Sequence, residues 1–434
     1  MAFWNKEIET MPRAELERLQ LSLLKKQVRT MYDSSKFIHD RMKAAGISPA
    51  DVTDFKSFQK LPFMEKTDFR DNYPDKLFVK PYEELERVHV SSGTTGHPTV
   101  VGYTKKDLND WAESLARGMV SFGMTNKDMM QNCHGYGLFT GGLGVHYAVE
   151  KIGATILPTS TGNTERQIML MKDLPVTVFA GTPSYLFHIA DVCDEKGIDI
   201  RRDTKLRLAL AGGEPWSESM RVKIQNRTGI RVHNCYGASE FYGPSFLECE
   251  KQAGLHVWAD ICYIEILDKN GDPCAEGERG AIVATMLQKE AFPVIRYKIG
   301  DISALDWEKC ECGRTHPRLK MISGRTDDML IVRGVNVFPS QIESVIGEIP
   351  FLNTFYHITL ENENYMDSMV VEVELNESSL NEDMTEFVNM TRLIEEKLKS
   401  TLSISAKVKL VLPGTLKRFE GKSQHVTDNR RYDR

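Results

Sequence analysis

Five short stretches of this chain carry the residue types that phosphate chemistry needs. The first is SSGTTG, made of Ser91, Ser92, Gly93, Thr94, Thr95 and Gly96. Glycines let successive backbone N–H groups turn inward as an anion cradle, and the hydroxyls add donors. The loop is not of the Walker A type, because Gly96 is followed by His97 and Pro98 with no Lys-Ser/Thr pair. Taken alone it reads equally well as a flexible surface turn. YGASE (236–240) ends in Glu240, a carboxylate suited to Mg²⁺, and RYKIGD (296–301) ends in Asp301, an acceptor suited to ribose hydroxyls. GRTDD (324–328) carries Arg325 and Asp327, and FEGKSQ (419–424) sets Lys422 directly after a glycine. Singly, each has an ordinary reading: Glu240 as a helix N-terminal charge, Asp301 as a cap, Lys422 as a solvated surface cation. The signal lies in all of them occurring in this order.

The elements around these stretches follow from periodicity. Residues 12–45 read as helix, with Pro12 suited to a first turn and Leu16, Leu19, Leu23, Val28 and Met31 at helical spacing. Val88 and Val90 alternate with polar neighbours and predict a strand entering the glycine-rich loop; TVVGYT predicts one leaving it. The middle of the chain alternates helix-like DLNDWAESLARGMVSF with strand-like DMMQNC, then SYLFHIADVCDEKG with LRLALAGGEP, then MRVKIQNRTG with IRVHNCYG. That rhythm predicts an α/β region with a largely parallel sheet. HVWADICYIEIL and GAIVATML, joined through the turn DKNGDP, predict antiparallel strands. Beyond residue 328, DMLIVRGVNVFP, MVVEVEL and AKVKLVL alternate with helical PSQIESVIGEI and MTRLIEEKLKS, which predicts a small α+β domain.

Composition narrows the function classes. The chain has 434 residues, 41% of them hydrophobic, which is globular and not disordered. A net charge of −6 argues against a nucleic-acid footprint, which needs a strongly basic face. The N-terminal stretch MAFWNKEIETMPRAELERLQ lacks a signal-peptide core, and no apolar run is long enough for a bilayer. The expectation is a soluble cytoplasmic protein with no membrane partner. Eight cysteines are too sparse for a disulfide scaffold.

Taken together, SSGTTG, YGASE, RYKIGD, GRTDD and the terminal GK resemble the adenylate-forming superfamily of acyl-CoA ligases. Within it, SSGTTGHPTVVGYT, GYGLFTGGLGVHYAVEKIGATILP, AGGEPW and RGVNVFPSQIE are similar to the phenylacetate–CoA ligase family, from about residue 10 to the end. The resemblance implies a large multi-layer α/β N-terminal domain over 1–326 and a smaller mobile α+β C-terminal domain over 327–434. It implies ATP, CoA and an aryl-acetic acid as substrates and a two-step acyl-adenylate reaction. A homodimer is also what the family suggests. A related adenylating enzyme with another aryl acid or a non-CoA acceptor is the alternative.

Residue by residue, the resemblance assigns Ser91 to Gly96 to the β- and γ-phosphates and Glu240 to Mg²⁺. Gly213, Glu214, Pro215 and Tyr236 would line adenine, with Gly237 and Ser239 in the same ATP site, and Asp301 and Arg325 would bind ribose. Asp327 matches the hinge, Lys422 the adenylation lysine, and Tyr136, Phe139 and Gly141 the acyl pocket. One departure is His97, where the superfamily usually carries Lys or Arg after the loop.

A separate set of residues has metal-ligand chemistry. Cys249 and His256 lie in ECEKQAGLHVW, and Cys310 and Cys312 in KCECGRTHPRL. Three thiols and one imidazole complete a structural Zn²⁺ set, although C-x-C is tighter than the usual spacing. The other reading is free thiols on two loops.

Overall fold

In the computed structural model the chain divides into two compact units. One comprises 1–181, 192–213 and 231–322; the other comprises 182–191, 214–230 and 323–434. The structure describes all residues except 1, 91–97, 139, 215, 326–329, 333–334, 364–365, 381–383, 403, 419–424 and 431–434.

The larger unit is built on a nine-stranded sheet. Five neighbouring strands are parallel, in the spatial order Thr155–Leu157, Met129–Asn132, Val178–Gly181, Leu208–Gly212 and Arg231–Tyr236. Val178–Gly181 and Leu208–Gly212 are buried at every position, as parallel strands covered on both faces require. The strand Met129–Asn132 pairs on one side with Thr155–Leu157 and on the other with Val178–Gly181. Strand order reverses there, and in open α/β sheets ligands bind beyond the carboxyl ends of the strands at such a reversal. Tyr136, Gly213 and Tyr236 all follow or close the carboxyl ends of these strands. The sheet then continues antiparallel through Phe246–Glu248, Leu255–His256, Arg318–Leu319 and Leu305–Asp306.

A second group of strands, Cys262–Leu267, Gly280–Met286 and Tyr297–Ser303, runs antiparallel. Tyr297–Ser303 alternates strictly, burying Tyr297, Ile299, Asp301 and Ser303 on one face. The helix Lys105–Ser121 starts in a capping box, in which the Thr104 hydroxyl accepts from Asp107 N and the Asp107 carboxylate accepts from Thr104 N. The helical reading of 12–45 resolves into two helices, Arg13–Ser34 and Lys36–Ala44. The break is chemical: Ser35 is extended (φ −106°, ψ 110°), and its hydroxyl accepts from Ile38 N as the second N-cap.

In the smaller unit the long hairpin Leu352–Glu363 and Met366–Leu375 is flanked by parallel neighbours, Val426–Asp428 on one side and Lys407–Val411 on the other. Helices Pro339–Gly347 and Met384–Leu402 bury Ile342, Ile346, Ile394 and Leu398 in one core with Ile358, Leu360, Val371 and Val373. This is the small α+β arrangement that the alternation beyond residue 328 predicts.

Candidate active site

The segment after the strand Arg231–Tyr236 is the centre of the site. Gly237 and Gly243 bring two stretches of backbone together: a Cβ on Gly237 would lie 2.7 Å from Gly243 Cα, and one on Gly243 would lie 2.6 Å from Ala238 N. Between them Ser239–Phe241 makes a single 3₁₀ turn, and Tyr242 closes it in the left-handed region at φ 64°. Glu240 is carried on that turn and is 7% exposed.

Two phenols reach this segment and the strand beside it. Tyr236 OH donates to Asp301 Oδ2 at 2.5 Å, and Tyr297 OH donates to Glu240 Oε1 at 3.0 Å. The alternation of RYKIGD places Tyr297 and Asp301 on one face, so a single strand serves both contacts. The structure thus brings Tyr236, Ser239, Glu240 and Asp301 together in the larger unit. Glu240 is thus a buried carboxylate that accepts from Tyr297 OH.

A shell of packed groups stands behind the turn. Tyr103 OH donates to Ser239 O at 2.5 Å, and Tyr242 OH donates to Asp107 Oδ1 at 2.9 Å. Asp107 also accepts from Glu290 N at 2.9 Å and Ala291 N at 3.1 Å, so it ties the helix Lys105–Ser121 to the segment around Lys289. Burial holds the Tyr103 and Tyr242 phenols well above their usual range, so both are protonated donors.

At the expected acyl pocket, Asn132 Nδ2 donates to Tyr136 OH at 2.8 Å and to Gly142 O at 2.8 Å. Tyr136 OH also meets His146 Nδ1 at 3.2 Å, and burial pushes its phenol up to about 12. Gly141 lies in the first turn of the helix Thr140–Ile152. Gly213 follows the strand Leu208–Gly212 with φ +89°, a conformation that favours glycine. In the smaller unit, Glu214 Oε1 accepts from Ser184 N at 2.7 Å, and Arg325 is half-buried. Ser91 to Gly96, Phe139, Pro215, Asp327 and Lys422 lie outside the described residues.

The metal-ligand set converges. The sulfur atoms of Cys249, Cys310 and Cys312 and a ring nitrogen of His256 all lie within 4.8 Å of one another, and all four residues are buried. Cys249 and Cys310 sulfurs are 3.7 Å apart, and Cys312 Sγ is 3.4 Å from His256 Nε2. A tetrahedral ion with Zn–S of about 2.3 Å and Zn–N of about 2.0 Å spaces its ligand atoms roughly 3.5–3.8 Å apart, so the cluster fits Zn²⁺. In the thiol cluster as it stands, hydrogen bonds from Cys249 and Cys310 hold the Cys312 thiol low, while bonds from Cys310 and Cys312 push the Cys249 thiol up.

Sequence reasoning passed over Tyr297, Tyr103 and Lys289. Tyr297 had a signal, since it sits two strand periods from Asp301 within RYKIGD. Tyr103 and Lys289 had none, because no motif contains them and Tyr103 meets Ser239 and Lys289 only across more than a hundred residues.

Comparison with known proteins places the chain in a family. The AMP-binding enzyme family model matches residues 17–286, and the AMP-binding enzyme C-terminal domain model matches 334–430. Phenylacetate-coenzyme A ligase from Thermus thermophilus is 41% identical over 98% of this chain and 99% of that protein. The enzymes of the same name from Pseudomonas putida and Escherichia coli are 41% and 40% identical over 98% of this chain and 95% and 97% of theirs. This chain belongs to the phenylacetate–CoA ligase family of AMP-binding enzymes. Among solved structures, 2-hydroxyisobutyryl-CoA ligase in its postadenylation state with R3-HIB-AMP aligns with a TM-score of 0.92 at 27% identity, covering 98% of this chain and 92% of that one. The same enzyme with 2-HIB-AMP and CoA in its thioesterification state aligns at 0.73 and 28% identity, covering 99% and 92%. The fold of the phenylacetate–CoA ligase family is therefore that of adenylate-forming CoA ligases, with a large N-terminal and a smaller C-terminal domain. No helix among the described residues is long and apolar enough to cross a membrane.

Proposed function

We propose that this chain is an ATP-dependent aryl-acetate–CoA ligase that converts phenylacetate, ATP and CoA to phenylacetyl-CoA, AMP and diphosphate. The observation that carries the reading is the match at 40–41% identity to four phenylacetate–CoA ligases across 98% of the chain.

In the first step a carboxylate oxygen of the acid attacks the α-phosphorus of ATP, and the bond to the departing diphosphate breaks. Two anions meet, so charge must be neutralised by preorganised donors. In this proposal the Ser91–Gly96 N–H groups hold the β- and γ-phosphates, and Lys422 bridges the carboxylate and α-phosphate. Tyr236 lines adenine while its hydroxyl holds Asp301 for the ribose, and Tyr297 OH orients Glu240. Mg²⁺ held by Glu240 would supply further neutralisation of the diphosphate. Gly213, Glu214, Pro215, Gly237, Ser239 and Arg325 complete the nucleotide site, and Tyr136, Phe139 and Gly141 the acyl pocket.

In the second step the CoA sulfur attacks the acyl carbon, the thiol proton is released, and the carbon–oxygen bond to AMP breaks. The adenylate is a far better acyl donor than the free acid, provided that water is excluded. The C-terminal domain, 327–434, would turn about Asp327 between the two steps. The Cys249, His256, Cys310 and Cys312 set would bind Zn²⁺ structurally, with no open coordination position. The proposal extends to a cytoplasmic homodimer; eight cysteines with no disulfide among them support the reducing compartment.

Diphosphate release against a panel of aryl acids, with and without CoA, tests the reading. Phenylacetate should give diphosphate, and continued turnover to AMP should require CoA. The panel should include benzoate, hydroxyphenylacetate, indoleacetate and 2-hydroxyisobutyrate, since the structural neighbour acts on the last. Preference for another acid, or AMP formation with a different acceptor, would favour the alternative of a related adenylating enzyme.

A further inference from the structure

Lys289 has no part in the motifs, yet it is fully buried. Its Nζ has no hydrogen-bond partner among the described residues. It faces three rings instead, at 4.0 Å from the centroid of Tyr103, 4.6 Å from Phe292 and 4.7 Å from Tyr242. A buried ammonium without oxygen partners is expensive, so the aromatic faces and nearby carboxylates must offset that cost. Two of the three rings are anchored to the turn that carries Glu240. Tyr103 binds the carbonyl of Ser239, one residue before it, and Tyr242 is the strained residue two places after it. The lysine main chain is itself fixed, because Gln27 Nε2 donates to Lys289 O at 2.7 Å.

We propose that Lys289 is a positioning residue for the adenylation step, its ammonium gripping the Tyr103 and Tyr242 rings and so fixing the Ser239–Tyr242 turn beneath the Glu240 carboxylate. A hydrocarbon of the same length would fill the space but would not bind three π faces. The assignment rests on the adenylation reading of Glu240 above, but its geometry does not. The charged and titratable groups facing Nζ are Asp107 on the helix Lys105–Ser121, Glu240 on the turn, the two phenols, and His89 on the strand Arg87–Val90. Burial lowers the lysine to about 8, with Asp107 and Glu240 opposing the shift. Burial also lowers His89, which is neutral through the same range. The ammonium is therefore present at pH 7 and lost as pH rises through about 8.

The test compares Lys289→Met and Lys289→Arg with the wild type. In ATP–diphosphate exchange with phenylacetate and no CoA, K289M should lose about 10- to 100-fold in kcat, the scale for groups that orient a ligand from behind, with the phenylacetate KM within about twofold. Wild-type exchange should fall above pH 8, and K289M should lack that limb. Amide hydrogen exchange of residues 237–243 should speed by about tenfold in K289M, while the strand Leu208–Gly212 keeps its protection. Unchanged kcat, or unchanged amide exchange at 237–243, would overturn the proposal. Should K289M fail to fold, K289R decides, because arginine keeps its charge and its rate should hold above pH 8. Parallel wild-type and K289R profiles would then reject the role. If the wild type releases no diphosphate with any acid, the adenylation reading fails, and amide exchange alone judges Lys289.

Discussion

Cys312 Sγ lies 3.4 Å from His256 Nε2, across 56 residues of sequence. The strand Leu255–His256 pairs with Arg318–Leu319, so sheet register brings the loop 310–316 back over Cys249 and His256. A buried cluster of three sulfurs and an imidazole is stable as a metal site or as a set of thiols sharing protons. Cys310→Ser separates the two. With zinc bound, the variant should lose metal and lower the thermal midpoint by about 5 °C or more, the scale of a few kcal/mol, while ATP–diphosphate exchange persists at lower temperature. Elemental analysis of protein purified without metal-affinity tags checks it. Less than about a tenth of an equivalent of zinc in the wild type would leave the cluster as free thiols.

The residues just after Cys312 hold the N-terminal segment. Arg314 Nε donates to Glu9 Oε2 at 2.6 Å, with both side chains at most 1% exposed, and Thr315 Oγ1 donates to Met11 O at 2.6 Å. Removing one partner of such a pair strands the other charge. Glu9→Ala should cost about 3–5 kcal/mol, whereas breaking an exposed, solvent-screened pair such as Lys36–Asp40 should have little effect on stability. Chemical denaturation of E9A beside D40A measures both. Equal effects would show that the Arg314 contact is not the anchor.

Tyr297 touches Glu240 through one hydroxyl. Tyr297→Phe keeps the ring, which packs edge-on against Phe69 at 5.2 Å, and removes only the donor. Diphosphate exchange should fall about tenfold with little change in thermal midpoint, the cost of losing one hydrogen bond to a charged group. An unchanged rate with phenylacetate would mean that Glu240 is oriented by other groups.

Lys422 is assigned by resemblance alone. Lys422→Ala should cut adenylation by about two to three orders of magnitude, the scale for one preorganised donor, while thioester formation from supplied phenylacetyl-adenylate survives. A second variant tests the hinge: Asp327→Pro fixes φ, and should spare adenylation while blocking the CoA step. Wild-type adenylation by K422A, or equal loss of both steps in D327P, would refute the respective role.

How much of this was legible in the chain depends on distance. The parallel sheet was readable because fully buried strands such as Leu208–Gly212 are short apolar runs between amphipathic helices; Val178–Gly181 was not read as a strand. That Tyr236, Glu240 and Asp301 lie on or just beyond strands was readable because their motifs keep each residue beside the strand that carries it. The cysteine set was readable by ligand type and not by spacing, since strand pairing, which no local pattern specifies, closes it. Ser35 broke a helix that its apolar periodicity alone would continue, through a side-chain cap. Lys289 reads as one more surface cation in QKEAF. Only tertiary packing places Tyr103 and Tyr242 over it.

Glu343 was hidden for the same reason, within PSQIE, where a polar residue on the helix Pro339–Gly347 looks solvated. It is buried, and one carboxylate oxygen has no partner among the described residues. Burial, reinforced by the nearby Glu214 charge, pushes its carboxyl from an ordinary 4.5 up to about 8. The folded state therefore holds a proton that the unfolded chain releases above about pH 4.5. The sign follows directly: the folded state binds more protons at this group, so its contribution to stability is fully present below pH 4.5 and declines as pH rises towards 8, by up to about 1.4 kcal/mol per unit. Glu343→Gln carries a neutral side chain of the same shape at every pH. Its stability should match the wild type near pH 4.5 and exceed it increasingly up to pH 8, measured as thermal midpoints across that range. Parallel midpoint curves for the two proteins would show that Glu343 is ionised and solvated in the folded state, and that Glu214 does not bear on it.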